Sequence, residues 1–354
     1  MSLARAGYRV TLVGLDRTTT DPLPSELDCV RVRPARGIHK PRVLRDMFRA
    51  ARKLRADVLQ CFDPWALALG LLVKRRRPDT CLVYEATESY PQIQLQRRDI
   101  PFPLRWLNYV CVRLLENEAV RHADRLVDTT RTRARRFARL GRRVTVVQNL
   151  PPLNLVPGTG PEHRPWIVYT GLICRHRGVD VLLKAFATIA PRIPDARLRI
   201  LGRFAPGEGL EDWTHDFLKR TGLESRVDFL GWIPTYQGMF QELASCSVGV
   251  VLFQPNWWND YTNLPDKLFD FMATGLAVVA SRFPEMSRVV NETGCGWLVD
   301  PTSPEAVAAA LERALTSPDE CRARGEAGKR AVLARYHWGV AEKALLDLYA
   351  GLAR

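Results

Sequence analysis

The 354-residue sequence lacks the clustered cysteines and histidines that hold metals or build disulfide frameworks. None of its eight cysteines belongs to a CxxC pair, and none of its six histidines belongs to an HExxH motif. Cysteines scattered in this way are typical of reduced thiols that pack as small apolar groups. The sequence therefore predicts a reducing, cytoplasmic environment and no metal held by protein ligands.

Long apolar runs are absent as well. The sequence has no uninterrupted apolar stretch of about 18 residues, the length that a membrane-spanning helix needs. No long apolar run followed by a cleavage site comes after Met1, which predicts that the chain carries no signal peptide. We expect no transmembrane helix.

Acidic residues are outnumbered, because 52 lysines and arginines face 38 acidic residues and give a net charge of +14. Three interpretations stay open, namely a nucleic-acid surface, an anionic membrane surface and a solvated face. No RNP, KH or helix-turn-helix signature accompanies the charge, so we predict no nucleic-acid partner. The predicted helix from Pro41 to Leu54 is basic, and the arginines crowded further along are Arg97, Arg98, Arg105, Arg113, Arg121, Arg125, Arg131, Arg133, Arg135, Arg136, Arg139, Arg142 and Arg143.

The chain is too long for one core, and both halves alternate β-branched runs with helical patterns. This alternation predicts α/β domains with parallel sheets, which bind ligands at the carboxyl ends of their strands. Apolar residues at helical spacing predict a long helix from Phe102 to Ala123, and proline and glycine in residues 149–164 predict a linker. We predict domains at 1–157 and 158–335, with a helix in 336–354 that returns to the first domain.

A loop from Thr170 to Gly178 lies between a predicted strand and a predicted helix. Gly171 lets the backbone approach a ligand, and the following helix presents free N–H groups to a phosphate. Arg177 would reach a diphosphate as a charged fork. An ordinary turn with a solvated arginine is the alternative interpretation.

A second segment runs from Asn263 to Ser281 as loop, helix and strand, with Pro265 and Gly275 at the helix boundaries. Lys267 and Asp270 are three residues apart and share one helix face. A cation and a carboxylate placed in this way would take a phosphate and two ribose hydroxyls. The alternative is a surface ion pair.

The segment from Asn263 to Ser281 resembles the donor-site motif of retaining glycosyltransferase family 4. Residues 84–91 resemble the family's N-domain segment beside the catalytic cleft. The resemblance covers nearly the whole chain and implies the GT-B fold, which is α/β with two Rossmann-like domains facing across a cleft. The other matching segments, in the family's order and spacing, are residues 171–178, 201–203, 229–234 and 294–301.

The resemblance implies a role for each site residue. Arg177 and Lys267 would bind the diphosphate and stabilise it as it leaves. Asp270 would match the second acid of the family's Glu-x7-Glu pattern and bind ribose. The family works without a metal, so we expect no cofactor. The implied donor-binding residues are Gly171, Arg177, Gly202, Trp232, Ile233, Asn263, Leu264, Lys267 and Asp270, and the implied catalytic residues are Arg177, Lys267, Thr87 and Glu88.

Three features depart from the family pattern. The first acid of Glu-x7-Glu falls at Thr262, and Thr87 replaces a histidine that is common in the N-domain segment. The sequence from Ser2 to Gly7 resembles the end of the family's first helix. We therefore expect the first strand of the N-domain, with its glycine-rich loop, to be missing.

The resemblance implies transfer of a sugar from a nucleotide-diphosphate sugar with retention of anomeric configuration, as in polysaccharide biosynthesis. The expected acceptor is a glycan, lipid-linked or secondary-metabolite hydroxyl, and the basic surface suggests peripheral attachment to an anionic membrane. One alternative is a GT-B-shaped partner subunit or binding module without catalysis. Another is a sugar-nucleotide epimerase, which would need acid and base carboxylates in the cleft.

Overall fold

A computed structural model describes residues 1–15, 25–33, 40–97, 99–255 and 258–352. Arg98 of the arginine-rich segment lies outside these residues. The chain forms two compact units, one made of Met1–Gln148 with Ala341–Arg354 and the other of Asn149–Val340. Among the helices of the described ranges, none combines the length and the apolar character needed to cross a bilayer.

The unit boundary lies earlier than the predicted division at 157/158. The proline-rich segment belongs to the second unit because its groups bond there. Leu150 is buried, and the carbonyl of Pro151 accepts a hydrogen bond from the Trp338 amide at 2.9 Å. Lys329 Nζ donates to the Thr159 carbonyl at 2.9 Å. At the other end, residues from Ala341 onward, rather than from 336, group with the first unit.

The described residues of the first unit form two parallel sheets. One is four-stranded, in the order β3-β4-β5-β6, and the other pairs only β1 with β2. Within the described ranges β1 and β3 are each paired on one side, and the missing first strand stays a prediction. The elements are α1 (Ser2–Arg5), β1 (Thr11–Leu15), β2 (Asp28–Val32), α2 (Lys40–Leu54), β3 (Val58–Cys61), α3 (Pro64–Arg76), β4 (Cys81–Ala86), α4 (Tyr90–Gln96), α5 (Phe102–His122), β5 (Arg125–Asp128), α6 (Arg131–Ala138) and β6 (Val144–Val146).

A buried polar network fixes the helices of the first unit to its sheet. The Tyr84 hydroxyl on β4 donates to Glu116 of α5 at 2.6 Å, and Glu116 also pairs with Arg136 of α6. Arg133 pairs with Asp128 at 3.2 Å, and burial raises the pKa of that carboxyl to about 6. Because each buried charge has a partner, the network specifies how these elements pack.

The second unit is a parallel six-stranded sheet in the order β12-β11-β10-β7-β8-β9. The chain runs outward from β7 to β9 on one side and from β10 to β12 on the other. The strand order therefore reverses between β7 and β10, and in open parallel sheets ligands bind beyond the carboxyl ends at such a point. The elements are β7 (Trp166–Thr170), α7 (Val179–Ile189), β8 (Arg197–Leu201), α8 (Leu210–Thr221), β9 (Val227–Gly231), α9 (Tyr236–Leu243), β10 (Val248–Val251), α10 (Trp258–Thr262), α11 (Asp266–Thr274), β11 (Ala277–Ser281), α12 (Pro284–Thr293), β12 (Gly296–Val299), α13 (Pro304–Thr316) and α14 (Pro318–Arg335). The last helix, α15 (Trp338–Ala350), begins in the second unit and belongs to the first from Ala341 onward.

Close packing sets the position of α11 on this sheet. Every residue from Lys267 to Thr274 is buried. A Cβ atom at Gly249 of β10 would lie 2.2 Å from the Phe271 ring, so only glycine leaves room for the helix at this distance. The helix begins directly after Pro265 and ends at Gly275, whose φ of 91° suits glycine. Both predicted boundaries therefore agree with the structure.

Candidate functional site

Two loops meet backbone to backbone at the carboxyl ends of β7 and β8. The Gly171 amide donates to the Leu201 carbonyl at 2.8 Å, and Ile173 N donates to the Arg203 carbonyl at 2.8 Å. A Cβ atom at Gly202 would lie 1.8 Å from the Gly171 carbonyl oxygen, so any side chain there would separate the loops. Gly171 itself has a φ of 111°, which L residues with a side chain rarely adopt.

Two cations lie against Gly171. Nη1 of Arg177 and Nζ of Lys267 are each 3.1 Å from the position that a Cβ atom of Gly171 would occupy. Lys267 is 8% exposed, and its ammonium lies 4.4 Å from the centre of the Tyr169 ring. Both cations also face the Phe253 ring, at 5.6 Å for Arg177 and 5.5 Å for Lys267. The surface ion pair proposed as an alternative is therefore excluded for Lys267.

These cations are not fully compensated. Within the described part of the chain, Lys267 Nζ and Arg177 Nε are buried and have no hydrogen-bond partner. Burial, followed by repulsion from Arg177, lowers the pKa of Lys267 from 10.5 to about 7. A buried charge without a partner is costly, and an anion that contacts both groups would remove that cost. The arrangement is therefore suited to a polyanionic ligand.

Asp270 lies one helical turn beyond Lys267 on α11. It is 6% exposed, and its Oδ1 is buried with no hydrogen-bond partner among the described residues. Burial, with repulsion from Asp266, raises its pKa from 3.8 to about 7. A ligand that brings hydrogen-bond donors would satisfy this carboxyl. It lines a cavity of about 260 Å³ together with Asn149, Leu150, Pro151, Tyr236, Asp266 and Trp338.

A larger cavity, of about 380 Å³, lies elsewhere in the second unit, where Trp166 and Arg197 begin their strands. This is the amino end of the sheet, at which open parallel sheets do not usually bind ligands. Among the described residues that line this cavity, none carries a buried polar side-chain atom without a hydrogen-bond partner. We therefore assign the candidate site to the carboxyl ends of β7 and β10.

The remaining predicted donor residues differ in exposure. Trp232 follows β9 and is 59% exposed, with the Arg203 guanidinium 6.0 Å above its ring, and Ile233 beside it is half-buried. The Asn263 side chain accepts a hydrogen bond from the amide of the buried Leu264 at 2.9 Å. An indole that stays half-exposed beside a sheet edge is free to stack on a planar ligand.

Thr262, at the position of the missing acid, is buried and donates to the Trp258 carbonyl of its own helix at 2.9 Å.

Two nearby groups, Asp260 and His176, were not predicted from the sequence as site residues. Asp260 Oδ2 lies 3.9 Å from His176 Nε2, and the negative charge of Asp260 raises the pKa of Lys267, against the larger effect of burial. No sequence signal marks Asp260, because only the fold brings α10 to the loop after β7.

Family models match both halves of the chain. A model described as "Glycosyl transferase 4-like domain" matches residues 2–151, and one described as "Glycosyl transferases group 1" matches residues 164–317. The chain belongs to the group 1 glycosyl transferases. The predicted family is confirmed.

Curated relatives match about half of this chain. The D-inositol 3-phosphate glycosyltransferase of Corynebacterium urealyticum is 32% identical over 189 residues, which are 52% of this chain and 43% of the relative. A GDP-mannose-dependent alpha-(1-6)-phosphatidylinositol monomannoside mannosyltransferase of Mycolicibacterium smegmatis is 25% identical over 192 residues, 54% of this chain and 49% of the relative. The chain thus spans less than half the length of these relatives.

Solved structures confirm the predicted α/β fold of the GT-B type. The sucrose-phosphate synthase of Thermosynechococcus elongatus has a TM-score of 0.80 at 20% identity, and the match covers 99% of this chain and 90% of that one. Anabaena HepE in complex with UDP and glucose has a TM-score of 0.72 at 16% identity, covering 92% and 86%. At these identities the likeness shows the fold alone.

The predicted catalytic residues belong to two units. Arg177 and Lys267 are brought together in the second unit, whereas Thr87 and Glu88 follow β4 in the first. Thr87 Oγ1 lies 3.0 Å from the Tyr90 hydroxyl. Burial raises the pKa of Glu88, and the charge of Arg133 partly offsets this rise. The pair therefore combines a hydroxyl with a carboxyl that is more readily protonated than usual.

Replacing Asp270 by asparagine should stabilise the protein at pH 8. The folded-state pKa of about 7 lies above the unfolded value of 3.8, so the folded state binds the proton more tightly and stability is lost as the pH rises through 7. Because asparagine carries no charge to bury, we expect the free energy of unfolding at pH 8 to rise by about 1–3 kcal/mol. Urea denaturation measures this change.

The increase in the free energy of unfolding caused by Asp270→Asn should become smaller toward pH 4, where Asp270 is protonated in the folded state. Asp319→Asn is the matched control, since that side chain is 97% exposed and should change stability by less than about 0.5 kcal/mol. An equal gain for Asp270→Asn at both pH values would contradict burial of charge as the cause.

Proposed function

We propose that this glycosyltransferase moves a sugar from a nucleotide-diphosphate sugar to an acceptor hydroxyl with retention of anomeric configuration. The observation that carries the proposal is a pair of incompletely compensated cations, the buried Lys267 and the half-buried Arg177, at the strand-order reversal of the second unit. A diphosphate is the part of the donor that needs two cations. It is also the leaving group, whose negative charge grows as the glycosidic bond breaks.

The diphosphate would lie beside Gly171, where the side-chain-free backbone leaves space between the loops after β7 and β8. In this position Arg177 would bind it as a planar fork and Lys267 as a point charge. Both charges are fixed before the reaction, in surroundings that exclude water from the ammonium. Charge stabilisation by preorganised groups is worth more in such a site than in water.

The nucleoside would occupy the side of the site where Asp270 lies. Its unpartnered carboxylate would accept hydrogen bonds from the two ribose hydroxyls, and these would restore a normal pKa. Trp232 and Ile233 would contact the base, while Asn263 and Leu264 would lie near the sugar. Asp260 would supply the sugar contact that Thr262 does not, and Gly202 would keep the loops close enough for these contacts.

No metal is required in this proposal, because Arg177 and Lys267 together supply the two positive charges that a metal ion would bring to a diphosphate. No other cofactor is proposed. Thr87 and Glu88 are proposed as catalytic residues on the acceptor side by their resemblance to the family segment. The proposed domain roles are acceptor binding by the first unit and donor binding by the second.

We propose a glycan or lipid-linked acceptor at an anionic membrane surface, and cytoplasmic action without a nucleic-acid partner. The names of the two curated relatives support a polyol or lipid acceptor, since they specify inositol 3-phosphate and a phosphatidylinositol mannoside. A catalytically impaired partner subunit is the second candidate, supported by Thr262. The retained cations and Asp270 do not favour it.

The purified protein should hydrolyse at least one nucleotide-diphosphate sugar slowly without an acceptor, because water replaces the acceptor hydroxyl. This activity is measured by incubating the protein with a panel of UDP-, GDP-, ADP- and dTDP-sugars. The nucleoside diphosphate released from each sugar is then quantified. Proton NMR of the freshly released sugar should show the anomer of the donor, and excess chelator should leave the rate unchanged. Binding of a nucleotide sugar without turnover would favour the partner subunit instead.

Removing either cation should weaken binding of the nucleoside diphosphate of the active donor. Arg177→Ala and Lys267→Ala should each raise the Kd by about 10- to 150-fold, corresponding to about 1.5–3 kcal/mol, because each removes a charge-assisted contact. Isothermal titration calorimetry measures the change. Arg175→Ala is the matched control, since Arg175 lies two residues away, is half-exposed and pairs with Asp180.

The same titration should depend on pH through Lys267. Its pKa of about 7 in the free protein means that the ammonium loses its proton above pH 7, so the parent affinity should fall as the pH rises from 7 to 9. Lys267→Arg keeps the charge and should flatten this dependence. Equal losses of nucleoside diphosphate affinity in Arg175→Ala and Arg177→Ala would contradict the assignment of Arg177 to diphosphate binding.

Replacing Asp270 by asparagine should reduce discrimination between ribonucleotide and 2′,3′-dideoxynucleotide diphosphates. The parent protein should prefer the ribonucleotide by about tenfold or more, because a buried carboxylate loses its donors when the hydroxyls are absent. Competition titrations with both ligands measure the preference. Asp319→Asn should keep the parent ratio, and an unchanged ratio in Asp270→Asn would place ribose elsewhere.

A further inference from the structure

The first half of α5 carries apolar side chains on its exposed face. The helix packs into the first unit through Val112, Glu116, Ala119 and Val120, all of which are buried. On the opposite face large hydrophobic side chains are exposed to solvent. They are Phe102 at 64%, Leu104 at 49%, Trp106 at 50%, Leu107 at 57%, Val110 at 40% and Leu114 at 63% exposure, and together they form the α5 face.

Helical spacing makes this a continuous surface rather than a set of scattered residues. Phe102, Trp106, Val110 and Leu114 follow one another at intervals of four, so they form one row along the helix. Leu107 lies beside that row, three residues before Val110. Single exposed hydrophobic residues are ordinary, whereas a row of this length marks an interaction site.

The positive charge around the α5 face favours one class of partner, an anionic bilayer, over a protein. From Ile100 to Leu115 the sequence contains arginine and no acidic residue. The wider segment from Arg97 to Arg143 has 13 arginines against 5 acidic residues. A protein partner would require a matching acidic rim, whereas an anionic bilayer offers negative charge around an apolar interior.

The aromatic side chains also fit a bilayer interface. The rings of Trp106 and Tyr109 are 5.4 Å apart, edge to face, and the Arg113 guanidinium lies 5.8 Å from the Tyr109 ring. Tryptophan and tyrosine prefer the headgroup level, where an apolar ring and a polar tip are both satisfied. Arginine beside them is long enough to reach lipid phosphates.

We propose that the α5 face inserts into the headgroup boundary of a bilayer that contains anionic phospholipid, with Arg105 and Arg113 contacting lipid phosphates. The helix lies in the plane of the surface and does not span it. This inference rests on the proposed function in one respect. The proposed function supplies the reason for binding a membrane, which is access to a lipid-linked acceptor. It goes beyond attachment by charge alone, because it assigns an apolar contact to six named side chains.

The apolar contact predicts binding that salt weakens but does not abolish. Attraction between exposed arginines and lipid phosphates is screened over about 10 Å at 0.1 M salt. Burial of the α5 face is not screened. A protein held by charge alone would be released at high salt, whereas one held by the α5 face as well would remain partly bound.

The test is cosedimentation of the full chain with vesicles of phosphatidylcholine, with and without phosphatidylglycerol, at 0.1 M and 0.5 M salt. The variant is Leu107→Ser, Val110→Ser and Leu114→Ser together. Its matched control is Leu153→Ser, Leu333→Ser and Val340→Ser, which replaces three side chains of the second unit exposed by 43%, 50% and 46%. Arg113→Gln tests the charge separately.

The parent protein and the control variant should bind anionic vesicles at both salt concentrations. The α5 variant should lose affinity on the order of tenfold or more at both, because membrane affinity scales with buried apolar area. Arg113→Gln should weaken binding several-fold at 0.1 M salt and leave the binding at 0.5 M salt unchanged. An unchanged melting temperature and far-ultraviolet circular dichroism spectrum confirm that each variant is folded.

Two outcomes would overturn the proposal. One is equal vesicle binding by the α5 variant and its control. The other is a parent protein that binds no vesicle and is a dimer by light scattering, with the α5 variant monomeric, which would assign the face to a second copy of the chain. Nucleotide-sugar hydrolysis is measured without vesicles, so failure of the proposed function would show there and not in the sedimentation.

Discussion

The candidate site depends on two positive charges held close together without full compensation. Like charges at this separation repel, and burial adds to the cost, as the lowered pKa of Lys267 shows. The site persists because the surrounding structure leaves the two side chains little freedom. Lys267 is held by α11, which is buried along its length, and Arg177 ends the short turn after β7. The cost of this arrangement is then recovered only when an anion binds.

The packing of the sheet in the second unit offsets the free-energy cost of holding these two charges close together. All four residues of β10 and all five of β11 are buried, as expected for central parallel strands covered by helices on both faces. Such strands are stiff and closely packed, so the loops at their carboxyl ends begin from fixed positions. Gly249 contributes by letting Phe271 approach the sheet, and this contact places Lys267 at the end of β7. A packing detail on one strand therefore determines the distance between two charges at the site.

The sequence predicted the parts of this site that depend on local pattern. Gly171, Arg177, Lys267 and Asp270 lie in segments where a strand, a loop and a helix follow one another, so their placement is encoded within a few residues. Asp260 was not predictable in this way. It reaches His176 because separate strands lie side by side, and adjacency of that kind depends on the order of strands in the sheet. The closeness of the loops after β7 and β8 was missed for the same reason.

Exposure was the other property that the sequence could not supply. The spacing of apolar residues predicted the helix now observed as α5, but the same spacing is compatible with a face turned toward the core. The structure instead packs α5 through Val112, Glu116, Ala119 and Val120 and leaves its first half uncovered. A buried glutamate on the core side and an exposed tryptophan on the solvent side reverse the usual distribution. Periodicity defines a helix, and only the positions of its neighbours decide which side is buried.

The cations behind the net charge of +14 thus lie in two physically different environments. The arginines near α5 are largely exposed, so their attraction to a surface is long-ranged, weak for each residue and screened by salt. Arg177 and Lys267 lie among aromatic rings and buried strands, where screening is slight and a bound anion would be held strongly. Salt would therefore loosen a membrane contact under conditions that leave a donor contact nearly unchanged. A single composition value conceals this difference, which follows from burial and not from the number of charges.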